Sequence, residues 1–173
     1  MTRFLIALCL CLSAPALAVL SPGTKAPAFT ARAAMAGKAF NFDLAKALKK
    51  GPVVLYFFPA AFTQGCTLEA HEFAERSDEF RAIGATIVGV SNDDITTLAR
   101  FSREACRNKF AVAVGSPAVI AAFDVKLGKG VRSNRTSYVI ARDGTVAYAY
   151  SALDYRDHVR NTLAAVKKLR TER

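Results

Sequence analysis

From Val53 onwards, the chain alternates between continuous apolar runs of strand length and longer, charge-rich segments with apolar residues at helical spacing. The apolar runs predict five strands, at residues 53–58, 86–91, 110–114, 137–141 and 145–150. The other segments predict helices at residues 67–83, 118–123 and 155–170, and one that follows capping residues 91–94 and has Cys106 near its end. Ser116-Pro117 and Asp154 are the expected N-terminal caps of the last two helices. This alternation is typical of an α/β domain with a mixed sheet, to which the last two strands add an antiparallel hairpin.

The first 18 residues follow a different pattern. Arg3 precedes an apolar stretch over residues 4–17, and Ala16 and Ala18 form a small-x-small cleavage signature. The stretch is shorter than the roughly 20 residues that a membrane-spanning helix needs. We therefore predict a signal peptide at 1–18, one domain at 19–173 and a periplasmic or secreted location. An uncleaved amphipathic anchor is the alternative.

Charge adds little to this picture. The chain carries 24 Lys and Arg against 14 Asp and Glu, a formal net charge of +10. The basic residues are scattered, apart from Lys167, Lys168 and Arg170 near the C-terminus, and aromatic residues are not interleaved with them. We interpret them as a solvated surface and expect no nucleic-acid or membrane partner.

Removal of residues 1–18 would leave Cys66 and Cys106 as the chain's cysteines, alongside His71 and His158. These are too few for a tetrahedral metal cluster. Cys66 follows a predicted buried strand and opens a predicted helix, where free N–H groups and the helix dipole favour an anion. The dipole contributes only about 0.3–1 kcal/mol, so a strongly nucleophilic thiolate also needs a cation from elsewhere in the fold. A buried apolar cysteine and a structural disulfide remain open.

Pro59, Thr63 and Cys66 lie in the segment PAAFTQGC, which resembles the P-x-x-x-T-x-x-C signature of the peroxiredoxins. Three further segments resemble that family in the same order, namely GTKAPAFT (23–30), GPVVLYFFP (51–59) and RTSYVIARDGTV (135–146). The run from Gly65 to Glu69 is most similar to the Q-type, or bacterioferritin-comigratory-protein, subgroup. The resemblance implies a thioredoxin-like fold with a mixed central sheet flanked by helices. It also implies a monomeric thiol peroxidase that reduces hydrogen peroxide and organic hydroperoxides without a cofactor.

The resemblance assigns roles to individual residues. Cys66 would be the peroxidatic cysteine, and Arg135 would be the cation that its thiolate needs. Thr63 would hydrogen-bond the peroxide, and Pro59 would shield the thiolate from water and shape the loop. Glu69 would orient Arg135.

Many Q-type relatives carry a resolving cysteine five residues after the peroxidatic one, a position that His71 occupies here. Others carry it in the next helix, where Cys106 matches. The resemblance then implies an intramolecular Cys66–Cys106 disulfide, reduced by a dithiol protein of thioredoxin-like type. We expect the two thiols to be too far apart to bond in the reduced protein, since a disulfide needs Cα atoms within about 7 Å. Local unwinding near both cysteines would then precede resolution.

Two other functions stay open at this point. A thioredoxin-like disulfide exchanger is less well supported, because the chain has no C-x-x-C. A secreted, non-enzymatic binding domain would use Cys66–Cys106 as a structural crosslink, which contributes about 4 kcal/mol in a chain-entropy estimate.

Overall fold

The computed structural model describes residues 19–171 and contains a seven-stranded mixed sheet with helices on both faces. The strand order is β2-β1-β5-β4-β3-β6-β7, in which β3, β4 and β5 are parallel and the other pairs antiparallel. The strands are β1 (Thr30–Met35), β2 (Lys38–Asp43), β3 (Val53–Phe57), β4 (Thr86–Ser91), β5 (Ala111–Val114), β6 (Thr136–Ile140) and β7 (Val146–Ser151). The helices are α1 (Leu44–Lys50), α2 (Gln64–Glu75), α3 (Ser77–Ala82), α4 (Ile95–Glu104), α5 (Pro117–Ala122) and α6 (His158–Thr171). The predicted mixed α/β fold is confirmed.

The predicted signal peptide, residues 1–18, lies outside the described residues and stays a prediction. Among the helices within residues 19–171, none has the length and apolar character needed to cross a membrane.

The five predicted strands are β3 to β7, but the hydrophobic pattern did not predict β1, β2 or α1. Four of the six residues of β2 are exposed, and only Phe42 is buried, so this edge strand lacks the alternation that marks a half-buried strand. The turn between β1 and β2 uses Ala36 and Gly37, both with positive φ (50° and 77°). That combination suits a two-residue hairpin of type I′.

The helix predicted at 67–83 is wrong in its bounds. The structure has two helices there, and they meet at Arg76 (φ −97°, ψ 5°). The hydroxyl of Ser77 donates to Ala74 O at this break, so it competes with the regular helical pattern. Helix α2 also begins at Gln64 rather than at residue 67. Ser116 caps α5 as predicted, whereas α6 begins at His158 and not directly after Asp154.

Strand β3 is buried on both faces, as its continuous apolar sequence predicts. Val54 and Tyr56 pack under α2, α4 and α6, and Leu55 and Phe57 pack toward α1 and α5. The two layers of core therefore fix β3 at the centre of the molecule. The loop that follows β3 leads to Cys66 in α2, so this packing also positions the candidate site.

The hydroxyl of Tyr56, in the core layer under α2, α4 and α6, is buried without a hydrogen bond within residues 19–171. The ring of Tyr56 stacks on Phe73, with centroids 4.4 Å apart. A Cβ at Gly89 would lie 2.8 Å from that hydroxyl, so the glycine makes room for it.

We expect Tyr56→Phe to raise the free energy of unfolding by about 1 kcal/mol, because it removes a buried hydroxyl that gains no bond. Urea denaturation measures the change. Tyr138→Phe is the matched control, since the Tyr138 hydroxyl is also buried but donates to Phe123 O at 2.7 Å. That variant should lose about 1 kcal/mol. Equal effects in the two variants would contradict the prediction.

Candidate active site

Cys66 is the third residue of α2 and is 1% exposed. The preceding loop leaves β3 at Phe57 and reaches the helix through Thr63, the N-terminal cap, whose backbone is extended. The segment after β4 holds this loop, because Ala61 N donates to Asp93 Oδ2 at 2.7 Å. The cysteine therefore lies in the first turn of the helix, as the sequence predicts, with the positive end of the helix dipole beside it.

Arg135 supplies the cation. It directly precedes β6, and β6 pairs with β3 so that Thr136 lies opposite Phe57. The register thus places Arg135 where the loop to Cys66 begins. Its Nη2 donates to Cys66 Sγ at 3.5 Å, its Nη1 donates to Glu69 Oε2, and its Nε donates to Leu153 O at 2.9 Å.

The residue before Cys66 has little room for a side chain. A Cβ at Gly65 would lie 3.2 Å from Arg135 Nη2. The absence of a side chain at Gly65 therefore lets the guanidinium approach the helix start and reach the sulfur.

The electrostatics of the pocket follow from burial. Glu69 is 0% exposed, and burial raises the pKa of its carboxyl group to about 8, although the charge of Arg135 opposes the shift. Burial also works to lower the pKa of Arg135, but Glu69 and Cys66 outweigh it, so that its pKa is raised. The guanidinium is therefore charged throughout the ordinary pH range. Because Nη1 of this guanidinium binds Glu69 and Nη2 binds Cys66 Sγ, its positive charge faces the sulfur as well as the carboxyl group.

Thr63 and Pro59 lie on the approach to this pocket. The Thr63 hydroxyl donates to Ala60 O at 3.0 Å. Thr63 holds the N-cap position, but its side chain makes no capping hydrogen bond, and the residue is exposed. Pro59 is half-buried at the start of the loop. The roles predicted for both residues remain predictions.

Cys106 lies just beyond the end of α4 rather than inside it, in a turn that includes Arg107 and Asn108 with positive φ (49° and 61°). Its side chain is 0% exposed, and burial raises the pKa of its thiol far above the usual range. Both Cys66 and Cys106 are free thiols. The separation that we expect between them stays a prediction.

Sequence reasoning missed His158 and Ser137. His158 Nδ1 lies 2.8 Å from Ser137 Oγ and 3.7 Å from Glu69 Oε1, so both residues lie behind the Glu69–Arg135 pair. No local motif marks either residue, because their proximity arises from the packing of α6 on β6. Within residues 19–171, no group of three or more His, Cys, Asp and Glu side chains is placed to hold a metal ion.

Comparison with known proteins agrees with this geometry. Residues 22–149 match the sequence model of the AhpC/TSA family. The chain is 31% identical over 160 residues to a chloroplastic peroxiredoxin Q of Oryza sativa subsp. japonica, covering 87% of this chain and 68% of the relative. Among solved structures, peroxidoxin BcpB from Mycobacterium tuberculosis has a TM-score of 0.77 at 31% identity, covering 86% of this chain and 97% of that chain. Peroxiredoxin Q from Xanthomonas campestris has a TM-score of 0.71 at 27% identity, covering 80% and 90%.

Proposed function

The chain belongs to the AhpC/TSA family of thiol peroxidases, the peroxiredoxins, and we propose that Cys66 is the thiol with which it reduces peroxides. The observation that carries this assignment is the 3.5 Å contact between the Cys66 sulfur and the buried guanidinium of Arg135. A cation in that place stabilises the thiolate, which is the nucleophilic form of cysteine. The non-enzymatic alternative from the sequence is set aside by the family membership.

In the first step, the Cys66 thiolate attacks one oxygen of the peroxide. The O–O bond breaks, and its electron pair leaves on the second oxygen, which takes up a proton to give water or an alcohol. Cys66 is thereby oxidised to a sulfenic acid. Arg135 stabilises the negative charge on both the attacking sulfur and the departing oxygen, as donors do in other sites where charge develops. Thr63 would hydrogen-bond the bound peroxide.

In the second step, the Cys106 sulfur would attack the sulfenic acid, release water and form the Cys66–Cys106 disulfide. Cys106 is buried, and burial keeps its thiol protonated. The turn that holds it must therefore open before it can react, and short turns at helix ends open at low cost. A dithiol protein of thioredoxin-like type would then reduce the disulfide. We propose that the protein works as a monomer in the periplasm or outside the cell, as its sequence predicts.

A single-turnover experiment tests both steps. One equivalent of hydrogen peroxide is added to the reduced protein, and a non-reduced digest is analysed by mass spectrometry. We expect a peptide pair linked through Cys66 and Cys106. In Cys106→Ser, the peroxide is still consumed, and dimedone should trap a sulfenic acid on Cys66, because the second step has lost its nucleophile. Peroxide loss that leaves Cys66 unmodified would overturn the assignment. A dimedone adduct in both proteins, with no linked pair, would overturn only the second step.

A further inference from the structure

A buried histidine that the proposed reaction does not use lies behind the Arg135–Glu69 pair. His158 is the first residue of α6 and is 0% exposed. Its ring packs edge-on against Tyr150, with centroids 4.8 Å apart. Each of its nitrogens has a partner: Nδ1 lies 2.8 Å from Ser137 Oγ, and Nε2 lies 3.0 Å from Ala152 O.

These partners determine the proton positions. A backbone carbonyl can only accept, so Nε2 carries the hydrogen and donates it to Ala152 O, and Nδ1 accepts from the Ser137 hydroxyl. Burial lowers the pKa of His158 to about 4, assisted by Arg135 and opposed by the bond to Ala152 and the charges of Asp154 and Asp157. At neutral pH the imidazole is uncharged. Its function near Glu69 and Arg135 is therefore to form hydrogen bonds, not to supply charge.

The residue that His158 holds is itself bonded to Arg135. Ala152 N donates to Arg135 O at 3.2 Å, and Arg135 Nε donates to Leu153 O at 2.9 Å. The segment 152–153 thus contacts Arg135 at both its backbone and its guanidinium. His158 binds the carbonyl that lies between these two contacts, so it fixes the orientation of the peptide that carries Leu153.

A second contact reaches Glu69. Its Oε2 accepts from Arg135, while its Oε1 has no hydrogen-bond partner among the described residues and faces His158 Nδ1 at 3.7 Å. Nδ1 already accepts a hydrogen bond from Ser137, so the imidazole packs beside Glu69 without a hydrogen bond to it. The carboxyl group of Glu69 therefore stays bonded to Arg135.

We propose that His158 is a positioning residue for the peroxidase reaction, which holds segment 152–153, and through it the guanidinium of Arg135, against Cys66. The proposal rests on the proposed function, because it matters only if Arg135 stabilises a Cys66 thiolate. His158 does not touch the reacting atoms. Instead, it determines the position of the Arg135 N–H donors relative to the Cys66 sulfur. Displacing such donors by about 1 Å can lower the reaction rate by about a hundredfold.

Three variants separate this role from simple core packing. His158→Gln can still place an amide donor near Ala152 O, whereas His158→Phe keeps the ring against Tyr150 and loses both hydrogen bonds. Val166→Ala is the matched control, since Val166 is also buried on α6 but lies eight residues, or about 12 Å, further along the helix than His158. Two quantities are measured on each: kcat/KM for hydrogen peroxide, and the pH profile of Cys66 alkylation by iodoacetamide, which requires no peroxide chemistry. Arg135, which donates to Cys66 Sγ, and Glu69, which accepts from Arg135, are the charged groups that can shape this profile, and Tyr56 and Cys106 are the titratable groups in the same core cluster.

We expect His158→Phe to lower kcat/KM by between about tenfold and about a hundredfold and to move the alkylation midpoint to higher pH. His158→Gln should lie much closer to the wild type in both kcat/KM and the alkylation midpoint. Val166→Ala should leave both quantities unchanged. Wild-type values in a folded His158→Phe would overturn the proposal. If that variant does not fold, His158→Asn, whose side chain is too short to reach Ala152 O, is compared with His158→Gln. A lower kcat/KM for His158→Asn than for His158→Gln supports the proposal, and equal kcat/KM values in the two variants overturn it. Failure of the proposed function would appear separately, as peroxide turnover without Cys66.

Discussion

Cys66→Ser is expected to abolish peroxide consumption, with a loss of at least about a thousandfold in initial rate, as when the nucleophile of another enzyme is removed. The substitution keeps the size and the buried position of the side chain, so the Arg135–Glu69 pair stays in place. A serine hydroxyl does not ionise near neutral pH even beside a guanidinium, and neutral oxygen is a weak nucleophile toward an O–O bond. The measurement is the initial rate of hydrogen peroxide loss with dithiothreitol as the reductant.

Cys106→Ser is the matched control for this prediction, because it makes the same chemical change at the other buried free cysteine. It should consume the first equivalent of peroxide at the wild-type rate. Continued peroxide consumption by Cys66→Ser would contradict the assignment of Cys66 as the reacting thiol. A slow first equivalent in Cys106→Ser would show instead that Cys106 acts before the sulfenic acid forms.

Arg135→Met should lower kcat/KM for hydrogen peroxide by between about a hundredfold and about a thousandfold, which corresponds to about 3–4 kcal/mol of lost transition-state stabilisation. Methionine fills a similar volume but provides none of the three donors that reach Cys66, Glu69 and Leu153. Without the cation, the thiolate and the departing oxygen both lose their stabilising charge. Steady-state peroxide kinetics at low substrate concentration measure the change.

Two controls accompany Arg135→Met. Arg142→Met removes an exposed arginine beyond the other end of β6 and should leave the kinetics unchanged. The double variant Arg135→Met with Glu69→Gln removes any effect of a buried carboxyl group that has lost its partner, and it should be as slow as Arg135→Met alone. A rate for Arg135→Met within about threefold of the wild type would show that another group supplies the positive charge.

The resemblance to a family gave most of the candidate site, while the residue patterns alone gave less. Physical reasoning from the sequence placed Cys66 at a helix start and required a cation, but it did not identify which of the basic residues would provide it. Arg135 is 69 residues away along the chain. The antiparallel register of β3 and β6, with Phe57 opposite Thr136, brings it to the sulfur. Register between distant strands depends on packing across the whole sheet, which a local pattern does not contain.

The sequence by itself determined the elements whose burial is continuous or regular. Strand β3 was predictable because both of its faces are covered and its sequence is therefore apolar throughout. The start of α5 at Ser116-Pro117 was predictable because helix capping depends on local hydrogen bonds. The edge strand β2 was decided by tertiary structure, since an exposed edge carries no alternation. The break at Arg76 comes with a local bond from the Ser77 hydroxyl to Ala74 O, which the helical spacing of the apolar residues did not reveal. Only the tertiary structure placed His158 behind Glu69, because the approach of α6 to β6 joins residues that no spacing along the chain connects.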